Sequence, residues 1–259
     1  MLQQFMYINR AINKEYIKDL SVDVTTPGLR RYYTEIKKEL LNNPLVLCSN
    51  LDKVIKKWDH IRDYPVVKLL LKCNENAKLY LSSYLYRFEI NDITEAKIID
   101  FCECLLKLFA ILELVDTGYS SSKFKTFLFG ENIKLVDKTI YIETIQNDFN
   151  EHILSTWNEK DIQGAIITYD KNLLVFLNEY LYAKNKGSKF DFTDNVNVEH
   201  IMPASGRNTS TIRTDAGIID NDEFDSIVNQ IGNKTLLEDA INKSIGNEWF
   251  KTKKQNSRL

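Results

Sequence analysis

The chain has 259 residues, 44% of them hydrophobic and 27% charged, with a formal net charge of −2. This composition fits a globular protein with one large or two small cores, and disorder is not the expected state. The near-neutral charge provides no global attraction for polyanions, so any such contact must come from a local basic surface.

No apolar run approaches the roughly 18–20 residues that a membrane-spanning helix needs. The first residues, Met1-Leu2-Gln3-Gln4-Phe5-Met6-Tyr7, lack the basic segment and cleavage site of a secretory signal. A cytoplasmic protein without membrane association is expected. Cys48 and Cys73 stand alone in apolar runs, and Cys102 and Cys104 are too close for an ordinary bridge, so reduced and mostly buried thiols are expected.

Taken in chain order, residues 1 to about 185 read as helical. Pro27-Gly28 closes a first segment, and Leu29 to Leu41 carries apolar and aromatic residues at helical spacing. Leu51 to Ile61 is a further segment, and Pro65 opens another through Leu71. The longest runs from Ile93 to Val115 behind an Asp92 cap, is apolar almost all round, and should form the buried centre. Residues 118–122 read as a loop, and helical stretches at about 138–156 and 160–184 lead to a break at Asn185-Lys186-Gly187-Ser188. Beyond Gly187 the period shortens to alternation. The expected fold is mainly α, with a helical scaffold over 1–187 and a small strand-containing domain over 188–259. Residues 204–226 read as a long polar connection, of a length usual for functional loops or disorder.

The chemistry-bearing residues lie in this last part. Val196-Asn197-Val198-Glu199-His200-Ile201-Met202-Pro203 sets a carboxylate beside an imidazole at the end of an alternating run. Ile231-Gly232-Asn233-Lys234-Thr235-Leu236-Leu237 follows about thirty residues later, and then Asn242 in a segment with Ile241, Ile245 and Trp249 at helical spacing. The order is therefore strand, connection, strand, helix, with an acid, an imidazole and two amides at the junctions. Phosphodiester hydrolysis needs a base near neutrality and a hard cation to stabilise developing charge. His200 suits the first role, and the oxygens of Glu199 and Asn242 suit Mg2+ or Mn2+, which keep several waters and take few protein ligands. On a regular strand Glu199 and His200 point to opposite faces, so this scheme requires the strand to end or twist there. His60 and His152 sit in helical stretches without such neighbours and receive no role. The segment from Lys251 to Leu259 holds four basic residues and no acid, which suits either a DNA contact or an ordinary solvated helix end. Lys234, Lys243 and Lys253 are the candidate phosphate contacts.

These residues resemble the HNH-type nuclease domain of GmrSD-like type IV restriction enzymes. The likeness rests on Glu199-His200-Ile201-Met202-Pro203, on Gly232-Asn233-Lys234-Thr235-Leu236-Leu237, on Asn242 and on Phe250-Lys251, and covers roughly residues 192–255. It is also similar to the HNH domain of CRISPR RNA-guided nucleases, where an acid-His pair is followed by two asparagines nine positions apart. The resemblance implies a ββα-metal finger with His200 as general base, Glu199 and Asn242 as metal ligands, and Asn233 fixing the loop and the imidazole. Two departures stand out. Ala204 replaces the Gln that often follows the Pro, and the Asp-Gly-Gln-Gln-Arg motif of the nucleotide-dependent domain in fused relatives does not occur. The resemblance therefore implies a DNA endonuclease for restriction of foreign or modified DNA, with a nucleotide-dependent partner domain or subunit. The alternative is an inactive DNA- or partner-binding subunit, against which stands the retention of all four polar groups.

Overall fold

The computed structural model describes residues 1–15, 28–115, 121–190, 195–206 and 208–245. They divide into two compact units, Met1–Trp157 and Asn158–Leu259. The described part of the chain is mainly helical, with one pair of short strands near its C-terminal end.

The first unit contains α1 (Leu2–Ile12), α2 (Leu29–Arg31), a π-helical turn (Tyr32–Ile36), α3 (Lys38–Asn42), α4 (Pro44–Ile61), α5 (Pro65–Cys73), α6 (Ala77–Tyr86), α7 (Glu95–Leu114), α8 (Ser121–Val136) and α9 (Ile142–Thr156). Local chemistry explains several of the starts. Asn43 accepts from the Val46 N–H ahead of Pro44, which sits where its missing donor costs nothing. The long helix α7 starts later than the sequence suggests: Ile90–Asp92 forms a 3-10 turn, and Thr94 rather than Asp92 caps the helix by accepting from Lys97 N–H. The stretch from Leu29 to Leu41, read as one helix, is split by the π turn at Tyr32–Ile36. Tyr32 and Tyr33 of that turn are buried with Met6 and Leu47, and core packing outweighs the regular ladder there. The break expected at Pro27 and most of the loop at 118–122 lie outside the described residues, and Ser121 already opens α8.

The core of this unit forms where α1 packs on α6 and α8, and α5 on α7. Ile98, Phe101, Leu105 and Leu108 of α7 are fully buried, in keeping with its expected central place. Tyr84 stacks on Phe101 at 4.1 Å between ring centres and donates its hydroxyl to the Lys97 carbonyl, so a large aromatic is buried without stranding its polar end. His60, exposed near the end of α4, approaches the Ile93 carbonyl through Nε2, and half-buried His152 of α9 stacks on Phe127 at 3.8 Å; both lie in helices, as expected. All four cysteines are free, with Cys102 buried, Cys73 and Cys104 half-buried and Cys48 exposed, which corrects the expectation of mostly buried thiols. No helix among the described residues is long and apolar enough to cross a membrane.

One buried acid gives this unit a pH dependence. Glu131 is buried on α8, accepts from Lys134 Nζ at 2.9 Å, and has Oε2 buried without a hydrogen-bond partner among the described residues. Burial pushes its pKa up to about 7, against the opposing pull of Lys134. The folded state thus holds the proton more tightly than the unfolded chain, and this contribution to stability is full below the ordinary carboxyl range and is lost as pH rises to about 7. Glu131→Gln should remove about 2 kcal/mol of that decline, after discounting for solvent near Lys134. Chemical unfolding of both proteins at pH 5 and pH 8 checks this; parallel behaviour at the two values contradicts it.

The second unit contains α10 (Glu159–Ile167), α11 (Leu173–Lys186), β1 (Val196–His200), α12 (Thr209–Asp215), α13 (Asn221–Asn229), a 3-10 turn (Ile231–Asn233), β2 (Lys234–Glu238) and α14 (Asp239–Ile245). Gly187 ends α11 in the left-handed region at φ 62°, where a side chain would be strained. The expected domain boundary at Gly187 therefore marks a helix end inside this unit. The connection at 204–226 is not a plain loop. Asp220 caps α13 through the Asp222 N–H; Phe224 and Val228, one turn apart on α13, are buried, as is Ile212 of α12. Three apolar anchors suffice to fold a polar stretch into two short helices.

Candidate active site

β1 and β2 pair antiparallel with Val196 opposite Glu238, Val198 opposite Leu236, Glu199 opposite Thr235 and His200 opposite Lys234. Directly opposed residues share a face, so Val196, Val198, His200, Lys234 and Leu236 lie on one side and Asn197, Glu199, Thr235 and Leu237 on the other. A two-stranded ribbon is marginal by itself. Here α11 packs on β2, and α14 packs on both strands. The start of α14 is fastened to β1 at two points: Asp239 N–H donates to the Asn195 carbonyl at 2.7 Å, and Asn197 Nδ2 donates to Asp239 Oδ1 at 2.6 Å.

His200 is the last residue of β1, and its Nε2 is withdrawn from solvent. Just past it the chain leaves the ladder under the control of Asn233. The Asn233 amide accepts from Met202 N–H at 2.8 Å, donates to the Met202 carbonyl at 2.9 Å and donates to the Val228 carbonyl at 2.8 Å. Its own carbonyl accepts from Ile201 N–H at 2.8 Å. One side chain thus grips both backbone polar groups of the residue two past the histidine, while buried Pro203 turns the chain away. These bonds join the Asn233 side chain to the backbone of Met202 and Val228, and none of the three reaches the imidazole. The 3-10 turn that holds Asn233 is itself tied to the Tyr169 carbonyl through Ile231 N–H at 3.2 Å.

Glu199 is half-buried on the opposite face, across from Thr235. Thr235 Oγ1 donates to Glu179 Oε1 of α11 at 3.0 Å, which sets a second carboxylate on the Glu199 side of the ribbon. Nothing local in the sequence singled out Glu179; only the strand register and the docking of α11 reveal it. The strand remains regular through His200, so Glu199 and His200 point to opposite faces of the ribbon; the ladder ends only after His200, and no end or twist between the two residues brings them to one face. Asn242 is half-buried on α14 beside Ile241, so this amide sits on the helix that covers the strands.

The three lysines part company. Lys243 is exposed on α14 and ion-paired with Asp239 one turn earlier. Lys253 lies outside the described residues, as do Trp249, Phe250 and Lys251. Lys234 is only 4% exposed, and its ammonium donates to the Asp170 carbonyl and, at 3.4 Å, to the Lys171 carbonyl. This placement corrects its assignment as a phosphate contact, because a buried cation fastened to backbone oxygens is not presented to a ligand. Burial also lowers its pKa, with Asp170 opposing. Lys234→Met should therefore cost about 1–3 kcal/mol of stability, because it strands two carbonyls, and leave the salt dependence of DNA binding unchanged. A salt slope reduced by about one, with unchanged stability, would restore the phosphate role.

Glu199 and Asn242 offer a carboxylate and an amide oxygen, a donor set of the hardness that Mg2+ or Mn2+ takes while retaining water. No group of three or more His, Cys, Asp and Glu residues fit to hold a metal occurs among the described residues. Residues 139–258 match the family model of GmrSD restriction endonucleases, C-terminal domain. That stretch is thus similar to the C-terminal region of a GmrSD-type restriction enzyme, and it spans β1, β2, α14 and the helices around them. No curated protein matches the chain, and no solved structure matches it.

Proposed function

We propose that this protein is a Mg2+- or Mn2+-dependent DNA endonuclease with an HNH-type ββα-metal site, acting in restriction of foreign or modified DNA and so in phage defence. The observation that carries this reading is the Asn233 clamp on Met202, which fixes the backbone directly after His200. A fixed backbone on the C-terminal side of His200 limits where its side chain can sit, which favours general-base catalysis. The family match over residues 139–258 supports the same class of activity.

In the proposed mechanism the scissile phosphate lies against the tip of β1. His200 takes the proton of a water that attacks phosphorus in line with the departing 3′-oxygen. Asn233 keeps His200 and the following backbone from shifting as charge moves. Glu199 and Asn242 would hold the cation, and the cation when bound stabilises the extra negative charge on the phosphate and leaving group. Thr235 and Glu179 orient the Glu199 side of the ribbon, and exposed Lys243 steers the phosphate backbone. The partner assigned here is a nucleotide-dependent domain or subunit with the Asp-Gly-Gln-Gln-Arg motif, which would govern target choice.

Supercoiled plasmid, modified and unmodified, tests the class of activity. Nicking with Mg2+ or Mn2+ that stops in EDTA supports the proposal. Nicking of equal rate in EDTA contradicts a metal-dependent site.

A further inference from the structure

The first unit contains a cavity of about 530 Å³, far from chemically neutral, that the nuclease reading does not use. Its volume is in the range of small-molecule sites. Its lining includes the apolar side chains of Phe5 and Ile8 of α1 and Trp58 of α4, together with three lysines, Lys53, Lys57 and Lys138, and the single carboxylate of Glu89.

The floor is built and fully paired. Ser82 Oγ accepts from Trp58 Nε1 at 2.7 Å and from Gln4 Nε2 at 2.9 Å, and donates to the Lys78 carbonyl at 2.7 Å. The indole is thereby locked edge-on to the serine. Lys57 donates to the Leu85 carbonyl at 3.0 Å, and Lys138 lies over the Tyr86 ring at 5.5 Å, so two of the cations are held in place beside the opening. Burial lowers the pKa of Lys57, Glu89 opposes, and the charges of Lys138 and Lys53 lower it further. An anion placed among them would relieve both the desolvation and the mutual repulsion.

We propose that this cavity binds a phosphorylated small molecule with a flat or apolar body, the phosphate among Lys53, Lys57 and Lys138 and the body against Phe5, Ile8 and Trp58. Three ammonium groups against one carboxylate match a charge of about −2, which a phosphate supplies and a single carboxylate does not. Lysine serves as a point-charge phosphate binder, and an aromatic face accepts a planar ring. A free nucleotide and the phosphorylated end of a nucleic-acid strand share this chemistry.

Calorimetric titration of the full chain separates the sources and needs no cleavage. The ligands are the four common ribonucleoside diphosphates, their nucleosides, inorganic phosphate and a 5′-phosphorylated oligonucleotide. At least one phosphorylated ligand should bind at least tenfold more tightly than its nucleoside and than inorganic phosphate. That advantage should fall at least tenfold in Lys53→Ala/Lys138→Ala, whose two exposed lysines can be removed without opening the core. A preference for the diphosphates identifies a free nucleotide, and a preference for the oligonucleotide identifies a strand end. The proposal is overturned if no ligand binds, if inorganic phosphate binds as well as the esters, or if the double variant, with an unchanged melting temperature, binds as wild type does.

Discussion

Replacing Asn233 with Asp is expected to cost about 2–4 kcal/mol of stability in the second unit and to reduce cleavage at least about a hundredfold. The substitution is nearly isosteric, so its effect isolates the hydrogen bonds. The acceptor for Met202 N–H survives, but both donors are lost, and a carboxylate is pushed against the Met202 and Val228 carbonyls, now 2.9 and 2.8 Å from the amide nitrogen. Like-signed oxygens brought together at a half-buried site without a proton between them are costly. The loop after His200 should relax, and a displacement of about an ångström at a catalytic base is enough for the rate loss. Chemical unfolding and plasmid nicking on the same preparations read the two effects. A protein of wild-type stability and activity would show that the clamp is incidental.

The other large effect belongs to Arg87, which follows α6 and sends its guanidinium under the C-terminal end of α8. It donates to the carbonyls of Lys134, Leu135 and Asp137 at 3.2, 3.0 and 2.8 Å, and also to that of Ile140. The last carbonyls of a helix have no partner within it, and here one planar cation serves them together with the turn beyond. Arg87→Met keeps most of the apolar stem and removes every donor. The loss should be about 3–5 kcal/mol, because several carbonyls are stranded at once. In a unit of this size that corresponds to a melting temperature lower by roughly 10 °C. Arg87→Lys should recover only a small part, since an ammonium cannot span the same set. A melting temperature within a degree or two of wild type would contradict this account of the α6 to α8 junction.

Legibility in the sequence followed the range of the interactions. The strands and the helix after them were readable because Val196, Val198, Leu236 and Ile241 carry local period, whereas Asn233 after Gly232 is an unremarkable turn residue on its own and was marked only by the set it belongs to and by the family resemblance. Its partners, Met202 and Val228, were not readable in advance, although the kind of contact was. Lys234 misled because a lysine at a strand start looks the same whether it faces water or the backbone of Asp170, sixty-four residues away. Glu179 was hidden for the same reason, being brought to Thr235 only by the packing of α11 on β2. The stretch 204–226 was read by its glycines and acids, yet Asp220 with Phe224 and Val228 one and two turns on is itself a helix signal. The change of period at Gly187 was genuine, but α10 and α11 fold with the strands, which no local pattern announces.

The most direct test of the central claim is the rate of Mg2+-dependent plasmid nicking by wild type and by His200→Ala at matched concentration, with unfolding curves to establish that both are folded. A folded variant whose nicking falls by at least about a thousandfold, to the level seen in EDTA, is the result predicted for loss of the general base. Nicking by folded His200→Ala at the wild-type rate would contradict the assignment of the site at the end of β1.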